Sequence, residues 1–225
     1  MTHFEKILYE IETVKVIDKS IEYALYKSID LSIYNEELIH LKLNSSTDFK
    51  NYIENFLTQN DAKVAFGGYN EKRQLYQRST IFKDNLNEER NIHIGLDLWI
   101  KLQTNVLAAL AGKVHSFKYN EGLGNYGPTI ILEHQENDFK FYTLYGHLSL
   151  ESIQNLKIGQ TFKKGEILAQ LGNAEVNGDY APHLHFQIIQ DIENNFGDYP
   201  GVCAQNNLNF FLQNCPNPNI LLKIV

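Results

Sequence analysis

Hydrophobic positions change their spacing along this chain. In "SSTDFKNYIENFLTQN" (residues 45–60), Phe49, Tyr52, Ile53, Phe56 and Leu57 recur at helical intervals, and Ser45 with Asp48 three residues on has the form of a capping box. This predicts an amphipathic helix with one face on the body. Residues 1 to about 60 read as helical or mixed overall. The segment "VAFGGYNEKRQLYQRSTIF" (64–82) carries a Gly-Gly turn and reads as a strand or an extended connector.

From about residue 91 the pattern becomes short apolar or alternating runs: "HIGLDLWI", "NVLAAL", "GKVHSFKY", "PTIILEHQ", "KFYTLYGHLS", "EILAQLG" and "HLHFQIIQ". They are punctuated by turn-rich "NEGLGNYGP", "QEND", "KKG" and "VNGDYAP". Many short strands with tight turns predict a mainly β fold, an antiparallel sandwich or barrel-like sheet, with an α-containing N-terminal region. The expected division is 1–90, helical or mixed, and 91–225, the β domain with a loop-rich C-terminal extension whose apolar stretch packs back on the sheet.

With 225 residues, 43% of them hydrophobic, a sizeable core needs no staples. The net charge of −7 provides no clustered basic footprint, so nucleic acid is not an expected partner. No stretch has the length of a membrane span, and "MTHFEKILYEIETVKVIDKS" lacks the continuous apolar region of a secretory signal. The expectation is a cytoplasmic chain, the cell envelope requiring export by another route. Cys203 and Cys215 lack metal-knuckle spacing; two free thiols are the plainer reading, with a disulfide left open.

The chemistry concentrates in histidines. "PHLHFQI" (182–188) sets His183 and His185 one residue apart on a strand-like run, so both point to one face. His93 and Asp97 in "HIGLD" also share a face if extended, and the intervening Gly95 leaves room for a close approach. His147 lies in "YGHLS". A lone histidine in a strand is ordinarily a surface or hydrogen-bonded residue, and that reading is kept for His3, His40, His115 and His134. A His/Asp/His set, by contrast, supplies what a catalytic zinc site requires, nitrogen and oxygen ligands with a position left for water.

The ordered triple "HIGLD", "LYGHLS" and "PHLHFQ" resembles the signature segments of the M23 family of zinc metallopeptidases, the lysostaphin-type or LytM-type peptidoglycan endopeptidases. The resemblance spans roughly residues 91 to 190 and includes "GKVHSF", "NYGPTIILEH" and "LKIGQTFKKGEILAQLG". It implies Zn2+ bound by His93, Asp97 and His185, with His147 and His183 as the unligated catalytic pair beside it. The implied activity is hydrolysis, by metal-activated water, of a peptide or peptidoglycan-derived substrate. The alternative is a non-catalytic or regulatory binding domain on the same scaffold, with a role away from the cell wall. Gln187 stands where that family often has an acidic residue, and "GNAEVNGDYAP" ahead of the histidines is longer than usual. Latent members of the family fill the open zinc position with an upstream asparagine, a part that would fall to Asn70. An ordinary turn residue is the plainer reading of Asn70.

Overall fold

The computed structural model describes residues 1–40, 45–82 and 89–225, without the side chains of 39, 40, 77 and 78. The N-terminal region runs α1 (His3–Glu10), β1 (Tyr26–Ser28), α2 (Glu36–His40), α3 (Ser46–Gln59), β2 (Val64–Gly67) and β3 (Glu71–Lys72). Helix α3 begins where its cap does: the Ser45 hydroxyl accepts the Asp48 amide at 3.1 Å. Its apolar stripe lays Phe49 and Ile53 against Ala65 and Trp99.

The β region continues with β4 (Ile92–His93), β5 (Leu96–Trp99), β6 (Asn105–Leu107), β7 (Gly112–Asn120), β8 (Gly127–Glu136) and β9 (Phe139–Gly146). After α4 (Glu151–Gln154) come β10 (Thr161–Phe162), β11 (Ile167–Gln170), β12 (His183–Ile189) and β13 (Val202–Cys203). The tail holds more regular structure than its loop-rich sequence suggests, since α5 (Leu208–Asn214) and α6 (Asn219–Leu222) occupy it. Leu221 and Leu222 of α6 pack into the main core.

Among the described residues, eight strands form one sheet in the order β1-β2-β5-β12-β9-β8-β7-β10. Every neighbour pair is antiparallel except β1 with β2, and the sheet does not close on itself. The fold is thus mainly β and antiparallel, open rather than a barrel. Strands β1 and β2, from the first 90 residues, extend the same sheet as the peptidase-like strands. A two-stranded sheet (β11-β6) and a three-stranded one (β13-β4-β3) flank it.

Both faces of the large sheet are covered, which is why its central strands do not alternate between apolar and polar. Along β12, Leu184, Phe186 and Ile188 enter the main core with Leu96, Leu98, Ile130 and Tyr145. The opposite face, around Ile131, Leu144 and Ile189, is covered by Ile92, Tyr199, Cys203 and Cys215. Both cysteines are free thiols buried there, and burial raises the pKa of each, that of Cys203 to about 11. Among the described residues no helix is long and apolar enough to cross a membrane.

Candidate metal centre

Strand β12 lies between β5 and β9, and its register pairs His185 with Asp97 on one side and with Gly146 on the other. Because alternate residues share a face, the phase that buries Leu184 and Phe186 turns His183 and His185 to the opposite side. Asp97 arrives there by direct cross-strand pairing. His93 arrives differently from the straight strand expected: it belongs to β4, in the three-stranded sheet, and the chain changes sheets at Ile94–Gly95 before β5. At that crossing the backbone runs against the His185 ring, and a Cβ on Gly95 would lie 2.3 Å from its Cε1.

Three ligand atoms converge. His93 Nε2 is 2.9 Å from His185 Nδ1, and Asp97 Oδ1 is 3.1 Å from His185 Nδ1 and 3.3 Å from His93 Nε2. Tetrahedral bonds of about 2.0–2.1 Å place ligand atoms about 3.3 Å apart, so this spacing fits a small cation between them. His93, Asp97 and His185 are therefore a group that could hold a metal ion.

The surrounding hydrogen bonds determine where the protons are. His93 Nδ1 is 2.9 Å from the Gly68 carbonyl, which only accepts, so Nδ1 carries the proton and Nε2 is a lone pair. Gln187 donates its amide nitrogen to the Pro200 carbonyl at 3.2 Å, which turns its Oε1 toward His185 Nε2 at 3.0 Å. That oxygen can accept a proton from Nε2, which leaves His185 Nδ1 directed at His93 and Asp97. Burial pushes the His93 imidazole down to about 4, against the opposing pull of Asp97, so its neutral form prevails near pH 7. Burial raises the Asp97 carboxyl, but His93 and Arg73 beside it outweigh that and hold it well below the ordinary carboxylate range. Two imidazole nitrogens and a carboxylate oxygen thus face one point within 3.3 Å of one another, an arrangement that a cation could bridge.

The other two histidines flank this group. The His147 and His183 rings lie 4.1 Å apart, with His183 Nε2 4.0 Å from Asp97 Oδ1. His183 stacks on Trp99 at 5.5 Å and gives its Nδ1–H to the Ala181 carbonyl at 2.8 Å. His147 gives its Nδ1–H to the Asn177 carbonyl at 2.8 Å. The long segment before the histidines therefore serves the site, because Asn177, fully buried, ties Gly172 and Tyr180 through its own amide while its carbonyl orients His147. His147 also sits at φ 65°, a conformation costly for a non-glycine residue, and is held there by backbone bonds to Tyr126 and Gly172. Burial lowers both imidazoles, further for His147 through its histidine neighbours, so each offers a neutral Nε2 lone pair.

All five residues are at most 5% exposed, and with Tyr126, Tyr180, Tyr76 and Phe82 they line a cavity of about 280 Å³. Asn70 does not line that cavity; it is an exposed turn residue with φ 54°. Arg73, three residues later, does line it, and no motif in the sequence marked it. His134, kept as an ordinary histidine, is indeed hydrogen-bonded, to the Ala111 carbonyl at 2.9 Å and the Thr143 hydroxyl at 2.7 Å, though it is buried in the sheet.

An antiparallel sheet carrying a buried His/Asp/His group and a second histidine pair defines a protein whose cleft could hold a metal ion. Residues 91–196 match the model of Peptidase family M23, which this part of the chain resembles. An "Uncharacterized metalloprotease" of Haemophilus influenzae (strain ATCC 51907 / DSM 11121 / KW20 / Rd) is 35% identical over 95 residues; the match covers 42% of this chain but 18% of that protein. Among solved structures, the catalytic domain of the antimicrobial peptidase lysostaphin from Staphylococcus simulans is 31% identical, with a TM-score of 0.36, covering 54% of this chain and 80% of that one. A zinc containing peptidase from Vibrio cholerae is 28% identical, with a TM-score of 0.37, covering 54% of this chain and 32% of that one.

Proposed function

We propose that this chain is a zinc-dependent endopeptidase that cleaves a peptide bond in a small-residue, peptidoglycan-like peptide. The observation that carries the reading is the convergence of three possible ligand atoms, His93 Nε2, Asp97 Oδ1 and His185 Nδ1, beside the His147 and His183 pair. His93, Asp97 and His185 would hold a zinc ion, which would supply Lewis acidity and lower the pKa of a water toward about 7.

The rest falls to side chains. The Nε2 atoms of His147 and His183 face the same cleft as lone pairs, so one takes the proton of the attacking water. As the water oxygen bonds to the carbonyl carbon and the C–N bond breaks, that proton passes to the departing amine. Transfers of this kind contribute about 10²–10⁴ in rate. The Nδ1 bonds to Asn177 and Ala181 fix the orientation of each ring. Tyr126, whose hydroxyl burial holds protonated, lines the cleft as a donor for the developing oxyanion. The cavity of about 280 Å³ is at the small end for ligand sites, which favours glycine, alanine or their D-forms near the scissile bond.

Metal analysis and cleavage of defined muropeptides, followed by mass spectrometry, test the reading. We expect about one zinc per chain, lost in His185→Ala, and product from the wild type. His147→Ala should retain zinc and lose turnover. Absence of zinc in the wild type would refute the enzyme and leave a binding domain on the same scaffold.

A further inference from the structure

Asp97 offers a single oxygen to the histidines because its other oxygen is occupied. Arg73 Nη1 donates to Asp97 Oδ2 at 2.6 Å, and Arg73 Nε donates to Glu71 Oε2 at 2.5 Å. Glu71 is anchored in turn, its Oε1 accepting the Leu31 amide at 3.1 Å. The guanidinium is 2% exposed and lies over the Trp99 ring, 5.5 Å from its centroid, the same ring on which His183 stacks. Its Nη2 abuts Gly68, where a Cβ would come within 1.9 Å of Nη2 and 2.9 Å of His93 Nδ1. The turn that carries Arg73 thus also supplies the carbonyl that orients His93.

From this geometry, and resting on the metallopeptidase reading, we infer that Arg73 is a positioning residue of the metal centre: it reserves Asp97 Oδ2 for itself and so makes Asp97 a one-oxygen ligand held in place before any metal binds. The segment from Gly67 to Arg73 lies outside the matched residues 91–196, so the centre draws part of its support from the N-terminal region. Physical chemistry gives the device two effects. A guanidinium fork bonded to two carboxylates fixes the ligand's orientation, which lowers the entropy lost when the ion binds. It also prevents the carboxylate from chelating with both oxygens, which would use the coordination position that water needs.

The test uses the full chain with Arg73→Met, Arg73→Lys and Glu71→Gln, each checked for folding by circular dichroism and thermal melting. Zinc affinity is measured by competition with a chromophoric chelator, and the visible spectrum is recorded after cobalt substitution. Arg73→Met should weaken zinc binding about 10- to 100-fold, the usual effect of removing a partner of a ligand. Its cobalt absorption should weaken toward that of a higher-coordinate ion as Asp97 turns to offer both oxygens. Arg73→Lys should recover part of the affinity, since it restores charge without the fork, and Glu71→Gln should lose less than Arg73→Met.

A folded Arg73→Met with zinc affinity within twofold of wild type would overturn the inference. So would a loss of affinity with an unchanged cobalt spectrum, which would reduce Arg73 to a packing role. Should Arg73→Met not fold, Arg73→Lys decides: a fivefold or greater loss with a changed cobalt spectrum supports the assignment, and anything less overturns it. A wild-type chain that binds no zinc removes the metallopeptidase reading together with this inference, whereas wild-type binding beside an indifferent Arg73→Met removes this inference alone.

Discussion

Replacing Gly95 by alanine tests the geometry of the metal centre at its tightest contact. Gly95 lies outside the positive-φ glycines of the structure, so alanine meets no left-handed backbone strain there. What it meets is the His185 ring: the new Cβ would lie 2.3 Å from Cε1, 2.5 Å from Nε2 and 3.1 Å from Nδ1. Carbon atoms in contact need about 3.5 Å, so ring and backbone must separate by about 1 Å. The ring has little freedom to yield, being 2% exposed, bonded to Gln187 and packed against the Tyr126 ring. Metal–ligand bonds tolerate deviations of about 0.2 Å, so a shift of this size removes His185 from the coordination sphere. The expected loss in zinc affinity exceeds the 10- to 100-fold of an outer-partner change and is at least about 100-fold, or ~3 kcal/mol. The same overpacking costs the fold about 1–3 kcal/mol, offset in part by the about 0.4–1 kcal/mol that Gly→Ala gains through the unfolded state, so the metal-free melting temperature should fall modestly. The assay is chelator competition beside thermal melting in excess chelator. Zinc affinity equal to wild type in a folded Gly95→Ala would refute the proposition that Nδ1 of His185 coordinates at this crossing.

Two further perturbations address the fold. Burial holds the His134 imidazole down at about 4, against an unfolded value near 6.5, so the native chain binds fewer protons between those pH values; the stability at stake is whole above about pH 6.5 and falls as pH drops toward 4, by ~3 kcal/mol at most. Urea denaturation of wild type and His134→Gln at pH 7 and pH 4.5 should show a smaller loss on acidification for the variant, and equal losses would contradict the assignment. Phe186 is fully buried 5.4 Å from the Tyr145 ring, on the face of β12 opposite His185, so Phe186→Ala should cost about 3–5 kcal/mol in urea denaturation yet retain zinc where the chain is folded. A loss of less than about 1 kcal/mol would show that this face does not bear on the core.

Much of this protein was legible along the chain because local periodicity has local causes. Helix α3 follows from the spacing of Phe49, Ile53 and Phe56 and from the Ser45 cap, and its first residues fall where that cap predicts. That His183 and His185 share a face follows from the two-residue repeat of a strand, whatever the strand pairs with. The expected gathering of His93, Asp97 and His185 rested instead on the resemblance of three ordered segments to the M23 family.

What the chain could not reveal lies in contacts between residues far apart in sequence. Arg73 carries no motif, and only the pairing of β3 with β4, which sets Glu71 opposite His93, brings its guanidinium to Asp97. Gln187 looks like a departure from an acidic pattern, but its amide is turned by the Pro200 carbonyl so that Oε1 accepts the His185 proton; a ring N–H needs an acceptor, not a charge. The extra residues before the histidines look like a lengthened loop, yet Asn177 uses them to orient His147. Periodicity is a property of neighbours in the chain, so the sequence by itself determined many of the elements and the face that each presents, while the resemblance of its ordered segments singled out the candidate ligands. Which protons those side chains carry, and which distant residues hold them in line, depend on the packing of separate strands, and the tertiary structure alone decided them.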